Sequence, residues 1–186
     1  MVRDTAYVDV ETGEVYSRKR RFVDVQFDEE KGYLFWNRRS HVKTFNHVDF
    51  PAEMSFADIG RMAKLAKRVW RDTNMLAYRS DGGVKPYDVE RIAEVIGLGP
   101  RQAYRFIAKM INLGIMAKVK VEVGGKKEIH YYLNPIHFCS SNRINLNLYL
   151  LFRDQLDQVL PEWVKQKFAE SERKQKEKEG ARRDAS

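Results

Sequence analysis

The sequence predicts an α+β fold in which helices predominate. Apolar residues recur at steps of three and four after Ser55 and again within 88–113, which is the spacing of helices that bury one face. Apolar and charged residues alternate within 115–133 on both sides of Gly124-Gly125, which is typical of a β-hairpin. With 186 residues, 43% of them hydrophobic, the chain can form one domain of ordinary size with additional arms.

Composition narrows the classes of protein to which the chain can belong. The chain has 34 Lys and Arg residues and 26 Asp and Glu residues, and the resulting net charge of +8 predicts an anionic partner. The single cysteine, Cys139, excludes an internal disulfide framework and a zinc site built from several cysteines. No apolar run approaches the ~20 residues of a membrane span, and the first residues lack the apolar segment of a secretory signal. We therefore expect a cytoplasmic protein that does not enter a membrane.

Residues 1–50 are predicted to form an N-terminal hairpin and an aromatic-rich arm. The hairpin pairs residues 7–10 with residues 15–16 across a glycine-containing loop. A run of cations follows, which is either a solvated linker or a basic arm that contacts phosphates: Arg18, Lys19, Arg20 and Arg21. Residues 22–50 contain seven aromatic residues, which either form a core or stack on unpaired bases, and residues 22–27 are predicted to form a strand.

A helix is predicted to begin after Ser55, because Asp58 three residues later completes an N-cap signature. Its predicted buried face consists of Phe56, Ile59, Met62, Ala63, Ala66, Val69 and Trp70. Its opposite face is basic and carries Arg61, Lys64, Lys67, Arg68 and Arg71. Asp81-Gly82-Gly83 is predicted to be a loop.

Two shorter helices follow with a tight turn between them. Asp88 is a suitable cap for a helix over Val89–Ile96, and Gly97 supplies the left-handed conformation that ends it. Pro100 fits the first position of a second helix that reaches about Leu113, with inward residues Ala103, Ile107, Met110 and Ile111. Two helices joined by a tight turn and followed by a basic hairpin are the pattern of a winged helix-turn-helix.

Positive charge is concentrated on this predicted unit. Residues 99–130 contain seven Lys and Arg residues and two Glu residues, a net charge of +5 out of +8. The second helix is predicted to enter the major groove of duplex DNA, where Arg recognises guanine and Gln recognises adenine. Its candidate contacts are Arg101, Gln102, Tyr104, Arg105 and Lys109. The hairpin is predicted to contact the DNA backbone or the minor groove through Lys120, Lys126 and Lys127.

The remaining residues are predicted to be helical and then disordered. A helix from about Asn147 has an apolar side formed by Leu148, Leu151, Phe152, Leu156 and Val159. This side either packs on its own domain or forms a homodimer, and two-fold DNA sites favour the homodimer.

The predicted domains are an arm (1–50), a DNA-binding domain (51–135), a helical segment suited to dimerisation (136–168) and a charged disordered tail (169–186).

The sequence offers little support for catalysis. His130, His137 and Cys139 have no second cysteine or carboxylate at the spacing of metal ligands. Tyr131 and Tyr132 could serve as nucleophiles of a nicking enzyme, but no closely spaced pair of histidines accompanies them. The chain also lacks a phosphate-binding loop and a nucleophile elbow. We therefore predict a protein without enzymatic activity, metal or cofactor.

Three segments resemble a known family. They are Tyr-Val-Asp-Val-Glu-Thr-Gly-Glu-Val at 7–15, the helical unit at 92–98 with its continuation Ala103-Tyr104-Arg105, and Tyr-Leu-Asn-Pro at 132–135. Residues 87–133 resemble MarR-like winged helix proteins. More narrowly, residues 7–16 and 55–135 resemble the RepL-type replication proteins of Firmicute plasmids and their phage relatives. Gly99-Pro100 departs from the Ser or Thr cap that is usual on the reading helix. The resemblance implies binding of duplex DNA at a replication origin or at a promoter.

Together, these features predict a non-catalytic protein that binds double-stranded DNA at a specific sequence. The expected role is that of a plasmid or phage replication initiator or a transcriptional regulator, with the replication or transcription machinery as a further partner. One alternative is a protein-interaction scaffold that docks through its C-terminal helix. Another is a binder of single-stranded nucleic acid that uses the aromatic residues of 22–50.

Overall fold

The computed structural model describes residues 2–8, 15–22, 27–28, 32–33, 42–44, 48–141 and 143–183. The chain divides into two compact units, Met1–Arg39 and Ser40–Ser186. Helices and antiparallel strand pairs make up the described residues, so the predicted α+β class is confirmed. No helix within these ranges is long and apolar enough to cross a membrane.

The first unit contains two pairs of antiparallel strands. β1 (Val2–Val8) pairs with β2 (Val15–Phe22), and β3 (Phe27–Asp28) pairs with β4 (Gly32–Tyr33). The predicted N-terminal hairpin is thus confirmed, although its first strand begins at Val2 rather than at Tyr7 and its second strand extends to Phe22. The four cations at 18–21 lie within β2, where the sequence suggested a linker or an arm. Most of the strand predicted over 22–27 and most of the aromatic block lie outside the described residues.

The second unit begins with a capped helix, α1 (Phe56–Ala66). The Ser55 side chain accepts a hydrogen bond from Asp58 N, and the Asp58 carboxylate accepts one from Ser55 N, so the predicted cap is confirmed. The predicted buried face is partly wrong, because the Phe56 side chain is 94% exposed and Ala63 is exposed. The buried face is rotated toward Leu65, and its members are Asp58, Met62, Leu65 and Ala66. The helix also ends before Val69 and Trp70, which therefore do not extend its stripe.

A hairpin that the sequence did not predict follows α1. β5 (Ala77–Ser80) pairs with β6 (Gly83–Pro86) across the segment predicted as a loop.

The predicted α2 (Val89–Ile96) and α3 (Pro100–Asn112) are confirmed. Asp88 caps α2 by accepting a hydrogen bond from Arg91 N, and Gly97 ends it with a φ of 69°. Gly99 precedes α3 and contributes no side-chain cap.

The predicted hairpin after α3 is also confirmed. β7 (Met116–Val123) pairs with β8 (Lys126–Leu133) in continuous register around Gly124 and Gly125. Leu76 N donates a hydrogen bond to Tyr131 O, so the segment before β5 lies along the other edge of β8. The main core joins this hairpin to the three preceding helices through residues such as Met62, Leu76, Ile92, Met110, Ile115 and Leu133.

The C-terminal region differs from the prediction in two respects. The helix predicted from Asn147 is divided at Phe152 into α4 (Leu146–Leu151) and α5 (Arg153–Leu156), and Val159 is exposed. α6 (Glu162–Arg183) continues through residues predicted to be a disordered tail. Its Phe168 ring stacks on Tyr149 at 4.0 Å, and Glu172 pairs with both Arg153 and Lys176. These contacts, together with a Lys-, Glu- and Gln-rich composition that favours helix, explain the extension.

Candidate nucleic-acid interface

α3 buries one side and exposes a polar side. Its buried residues are Ala103, Phe106, Ile107 and Met110, of which Phe106 was not anticipated, and Ile111 is only partly buried. The exposed residues lie in the N-terminal half: Arg101, Gln102, Tyr104 and Arg105. Tyr104 is 57% exposed, although its aromatic ring offers a large apolar surface. The structure therefore brings four of the five predicted reading residues to one accessible surface.

Lys109, the fifth predicted reading residue, has a different environment. Its Nζ lies 2.8 Å from Asp58 Oδ2 on α1. Burial raises the pKa of Asp58, but hydrogen bonds from Lys109 and Ser55 outweigh this effect, so the net result is a lowered pKa. The carboxylate therefore stays ionised and attracts Lys109 at neutral pH. We assign Lys109 to holding α3 on α1, and DNA contact by this residue stays an untested prediction.

The hairpin β7–β8 carries the three predicted lysines at or near its tip. Lys126 lies opposite Val123 and Lys127 lies opposite Glu122, while Lys120 is opposite Ile129. All three lysine side chains are exposed. Gly124 and Gly125 have φ values of 57° and 77°, which fit a two-residue turn that requires left-handed backbone at both positions. Across the described part of the chain, these lysines form no ion pair.

Tyr131 connects the base of this hairpin to α2 and α3. Its side chain is buried, and burial raises the pKa of its hydroxyl, with a smaller contribution from negative charge at Tyr104, Glu90 and Asp88. Burial likewise raises the pKa of Tyr132. Both phenols therefore stay neutral at neutral pH, and a nicking reaction through either tyrosine stays untested.

His130, His137 and Cys139 each contact neighbouring groups. His130 Nε2 lies 3.2 Å from Glu128 Oε2. His137 is buried and stacks on Phe50, and burial lowers its pKa. Cys139 is buried, and its Sγ donates a hydrogen bond to Ser141 O. Within the ranges that the structure describes, no three His, Cys, Asp or Glu side chains come together in a way that could hold a metal ion.

The predicted basic arm lies in the first unit. Arg18 and Arg20 are opposite Ala6 and Asp4 in the β1–β2 register, while Lys19 and Arg21 are opposite Thr5 and Arg3. All four cations thus belong to the paired part of β2. Their contact with phosphates stays a prediction.

Cations and aromatic rings also lie together beside the hairpin β5–β6, at a site that the sequence did not predict. Eight residues line a groove of ≈ 360 Å³ between the end of α1 and the hairpin β5–β6, and six of them are cationic or aromatic: Lys67, Arg68, Trp70, Arg71, Tyr78 and Tyr87. The available signal was Asp81-Gly82-Gly83 between two short runs of strand-forming residues, since such glycine-containing loops connect hairpins. Without the hairpin, nothing in the sequence placed the rings of Tyr78 and Tyr87 beside the cations that follow α1.

Comparison with protein-family models, with curated proteins and with solved structures finds no match to this chain. The resemblance to RepL-type replication proteins therefore stays a prediction. Any function has to follow from the side chains and the geometry described above.

Proposed function

We propose that the chain is a winged helix protein that binds double-stranded DNA at a specific sequence, with α3 as the reading helix and β7–β8 as the wing. One observation carries this proposal. The N-terminal half of α3 exposes Arg101, Gln102, Tyr104 and Arg105 next to a hairpin with exposed Lys120, Lys126 and Lys127. Neither arginine forms an ion pair with a described residue, so both guanidinium groups are available to a ligand.

The chemistry of the exposed residues suits the major groove. That groove admits an α-helix, and each base pair presents a distinct set of donors and acceptors within it. A guanidinium donates two hydrogen bonds to guanine, and a glutamine amide donates to and accepts from adenine. Arg101, Gln102 and Arg105 supply these groups within about one and a half turns of helix.

The wing supplies affinity that does not depend on sequence. Each lysine that neutralises a phosphate releases counterions, so the binding constant falls as salt is added. Lys126 and Lys127 lie at the tip of the hairpin, and Lys120 lies on the neighbouring strand. This division assigns base recognition to α3 and positioning on the backbone to the hairpin.

The biological role that fits such a protein is replication initiation or transcriptional regulation without catalysis, as the resemblance implies. We also propose a homodimer, because two-fold DNA sites present half-sites about 34–36 Å apart. Much of the C-terminal apolar surface is already buried within the chain, around Ile136, Leu148, Phe152 and Leu156. Leu150, Val159 and Trp163 stay exposed and are the candidates for contact between two copies.

The decisive experiment measures binding of the purified protein to duplexes that span the flanks of its own gene. Random duplexes are measured beside them, each at two salt concentrations. We expect one flank to bind more tightly at both salt concentrations, and we expect Arg101→Ala combined with Arg105→Ala to abolish that preference. Lys174→Ala combined with Lys178→Ala, exposed cations of α6, is the matched control for charge. Equal binding of all duplexes would contradict sequence-specific recognition and would favour a scaffold that docks a protein partner.

A further inference from the structure

The groove beside the hairpin β5–β6 is separate from the proposed reading surface. We call it the α1–β5 groove and define it by Lys67, Arg68, Trp70, Arg71, Tyr78 and Tyr87. None of these residues belongs to α3 or to β7–β8. Its volume of ≈ 360 Å³ falls at the lower end of the range of small-ligand sites.

The groove is basic, because three of the residues that line it are cations: Lys67, Arg68 and Arg71. Arg71 lies 3.5 Å from Asp72, but Lys67 and Arg68 are exposed and form no ion pair within the described part of the chain. Lys85 is directly opposite Tyr78 in the β5–β6 register, so it lies on the same face of the hairpin as that ring.

The aromatic rings of the groove are held in place by the fold. Arg91 of α2 stands over the Tyr78 ring, with Cζ 3.8 Å from its centre. The Tyr78 and Tyr87 rings are 5.6 Å apart and inclined by 58°. The side chain of Trp70 is half-buried, and its backbone is held by a hydrogen bond from the N–H group to Met75 O at 2.6 Å. Rings that are fixed before a ligand arrives lose little conformational entropy when it binds.

We infer that the α1–β5 groove binds single-stranded nucleic acid, with the cations contacting phosphates and Trp70 and Tyr78 stacking on unpaired bases. A groove that combines cations with aromatic rings is the arrangement that such ligands require. Duplex DNA would gain little from these rings, because its bases are already stacked on each other. This inference goes beyond the proposed function, since it assigns a different ligand to residues that the reading surface does not use.

The test uses Trp70 fluorescence in the full chain. Trp36→Phe combined with Trp163→Phe leaves Trp70 as the only tryptophan. This protein is titrated with a single-stranded DNA oligomer, a single-stranded RNA oligomer, a duplex of the same sequence and inorganic polyphosphate. We expect the single strands to quench Trp70, with DNA and RNA distinguished by their affinities, and we expect no comparable quenching by the duplex or by polyphosphate.

Two sets of variants separate this groove from the reading surface. Lys67→Ala combined with Arg68→Ala should weaken single-strand binding roughly tenfold or more and lower the slope of its logarithmic salt dependence by about 1.4, since each phosphate contact on a single strand contributes about 0.7. The same variant should leave duplex specificity unchanged. Arg101→Ala combined with Arg105→Ala should abolish duplex specificity and leave single-strand binding unchanged. The failure of one proposal is therefore distinguishable from the failure of the other.

The stacking contribution is tested by conservative and severe changes. Tyr78→Phe should keep single-strand binding, whereas Tyr78→Ala should weaken it by about tenfold, which is within the range measured for stacking of one base. Circular dichroism identifies a variant that fails to fold. If Tyr78→Ala fails to fold, the Lys67/Arg68 variant still tests whether the groove binds single strands. Unchanged single-strand affinity in that variant, or equal quenching by polyphosphate, would overturn the inference.

Discussion

Lys109 of α3 donates a hydrogen bond from Nζ to Asp58 Oδ2 of α1 at 2.8 Å, and Asp58 also closes the capping box with Ser55. One carboxylate thus belongs to the cap of α1 and anchors the last turn of α3. Arg61 approaches the same carboxylate at 3.4 Å. Lys109 follows Arg105 by four residues on α3, so a contact that holds Lys109 also limits the orientation in which the proposed reading residues meet a ligand.

Removing the charge of Asp58 should destabilise the fold in a pH-dependent way. The carboxyl has a lowered pKa in the folded chain, so its stabilising contribution is present above its ordinary pKa and is lost as pH falls through the folded value. Asp58→Asn should cost about 1 kcal/mol at pH 7, mainly through the lost charge interactions with Lys109 and Arg61, since the asparagine amide can still accept a hydrogen bond from Ser55 N. Urea unfolding at pH 7 and at about pH 3 should show that the difference from the parent protein shrinks in acid. Glu53→Gln, an exposed carboxyl outside the helix, is the control and should show no such trend.

Lys109→Met should affect stability but not DNA recognition, whereas Arg105→Ala should affect DNA recognition but not stability. Lys109→Met removes the partner of Asp58 and should lower the unfolding midpoint while keeping the DNA site preference. Arg105→Ala should keep the midpoint and weaken discrimination at one base pair by about 1–3 kcal/mol. Thermal unfolding and competition binding with single-base variants of the site measure the two effects. A lost preference in Lys109→Met with an unchanged midpoint would place Lys109 in the reading surface after all.

Lys126→Ala should weaken binding to all duplexes alike. The residue lies at the tip of the hairpin and is proposed to contact a phosphate rather than a base. The slope of log K against log salt should fall by about 0.9 for the loss of one phosphate contact. Titrations at four or more salt concentrations give this slope, with Lys178→Ala as the control cation. A change in sequence preference with no change in slope would assign Lys126 to a base.

Asn74→Ala should be among the most destabilising single changes in the second unit. Asn74 is 1% exposed, and its Nδ2 donates to the carbonyl groups of Leu133 and Phe138, while its Oδ1 accepts from Ser140 N and Oγ. Each buried group left without a partner costs about 1–3 kcal/mol. Asn74 also has a φ of 56°, a left-handed conformation that Ala adopts at a cost of about 1–2 kcal/mol.

Asn74→Gly separates the two costs, because glycine adopts the left-handed conformation without strain. Its free energy of unfolding in urea should be higher than that of Asn74→Ala and still well below that of the parent protein. Equal stability of the glycine variant and the parent would show that the hydrogen bonds of Asn74 contribute nothing net.

Local chemistry by itself determined several elements of this fold. Ser55 and Asp88 begin helices because their side chains accept hydrogen bonds from backbone N–H groups that lack a partner within the helix. Gly97 ends α2 because glycine adopts positive φ without strain, and Gly124-Gly125 turns the β7–β8 hairpin for the same reason. These are interactions between near neighbours in the chain, so the sequence was sufficient to place them.

Tertiary contacts decided which side chains are buried, which are paired and which are brought together in the groove. Phe56 fits the period of a buried stripe yet is exposed, because α1 packs through Met62 and Leu65 instead. Lys109 has the same local sequence character as Arg105, and only the approach of α1 gives it a carboxylate partner. The α1–β5 groove likewise exists because a hairpin brings Tyr78 beside the cations at the end of α1. The period of a pattern shows that a helix has an apolar side, but the neighbours that cover a side chain come from distant parts of the chain.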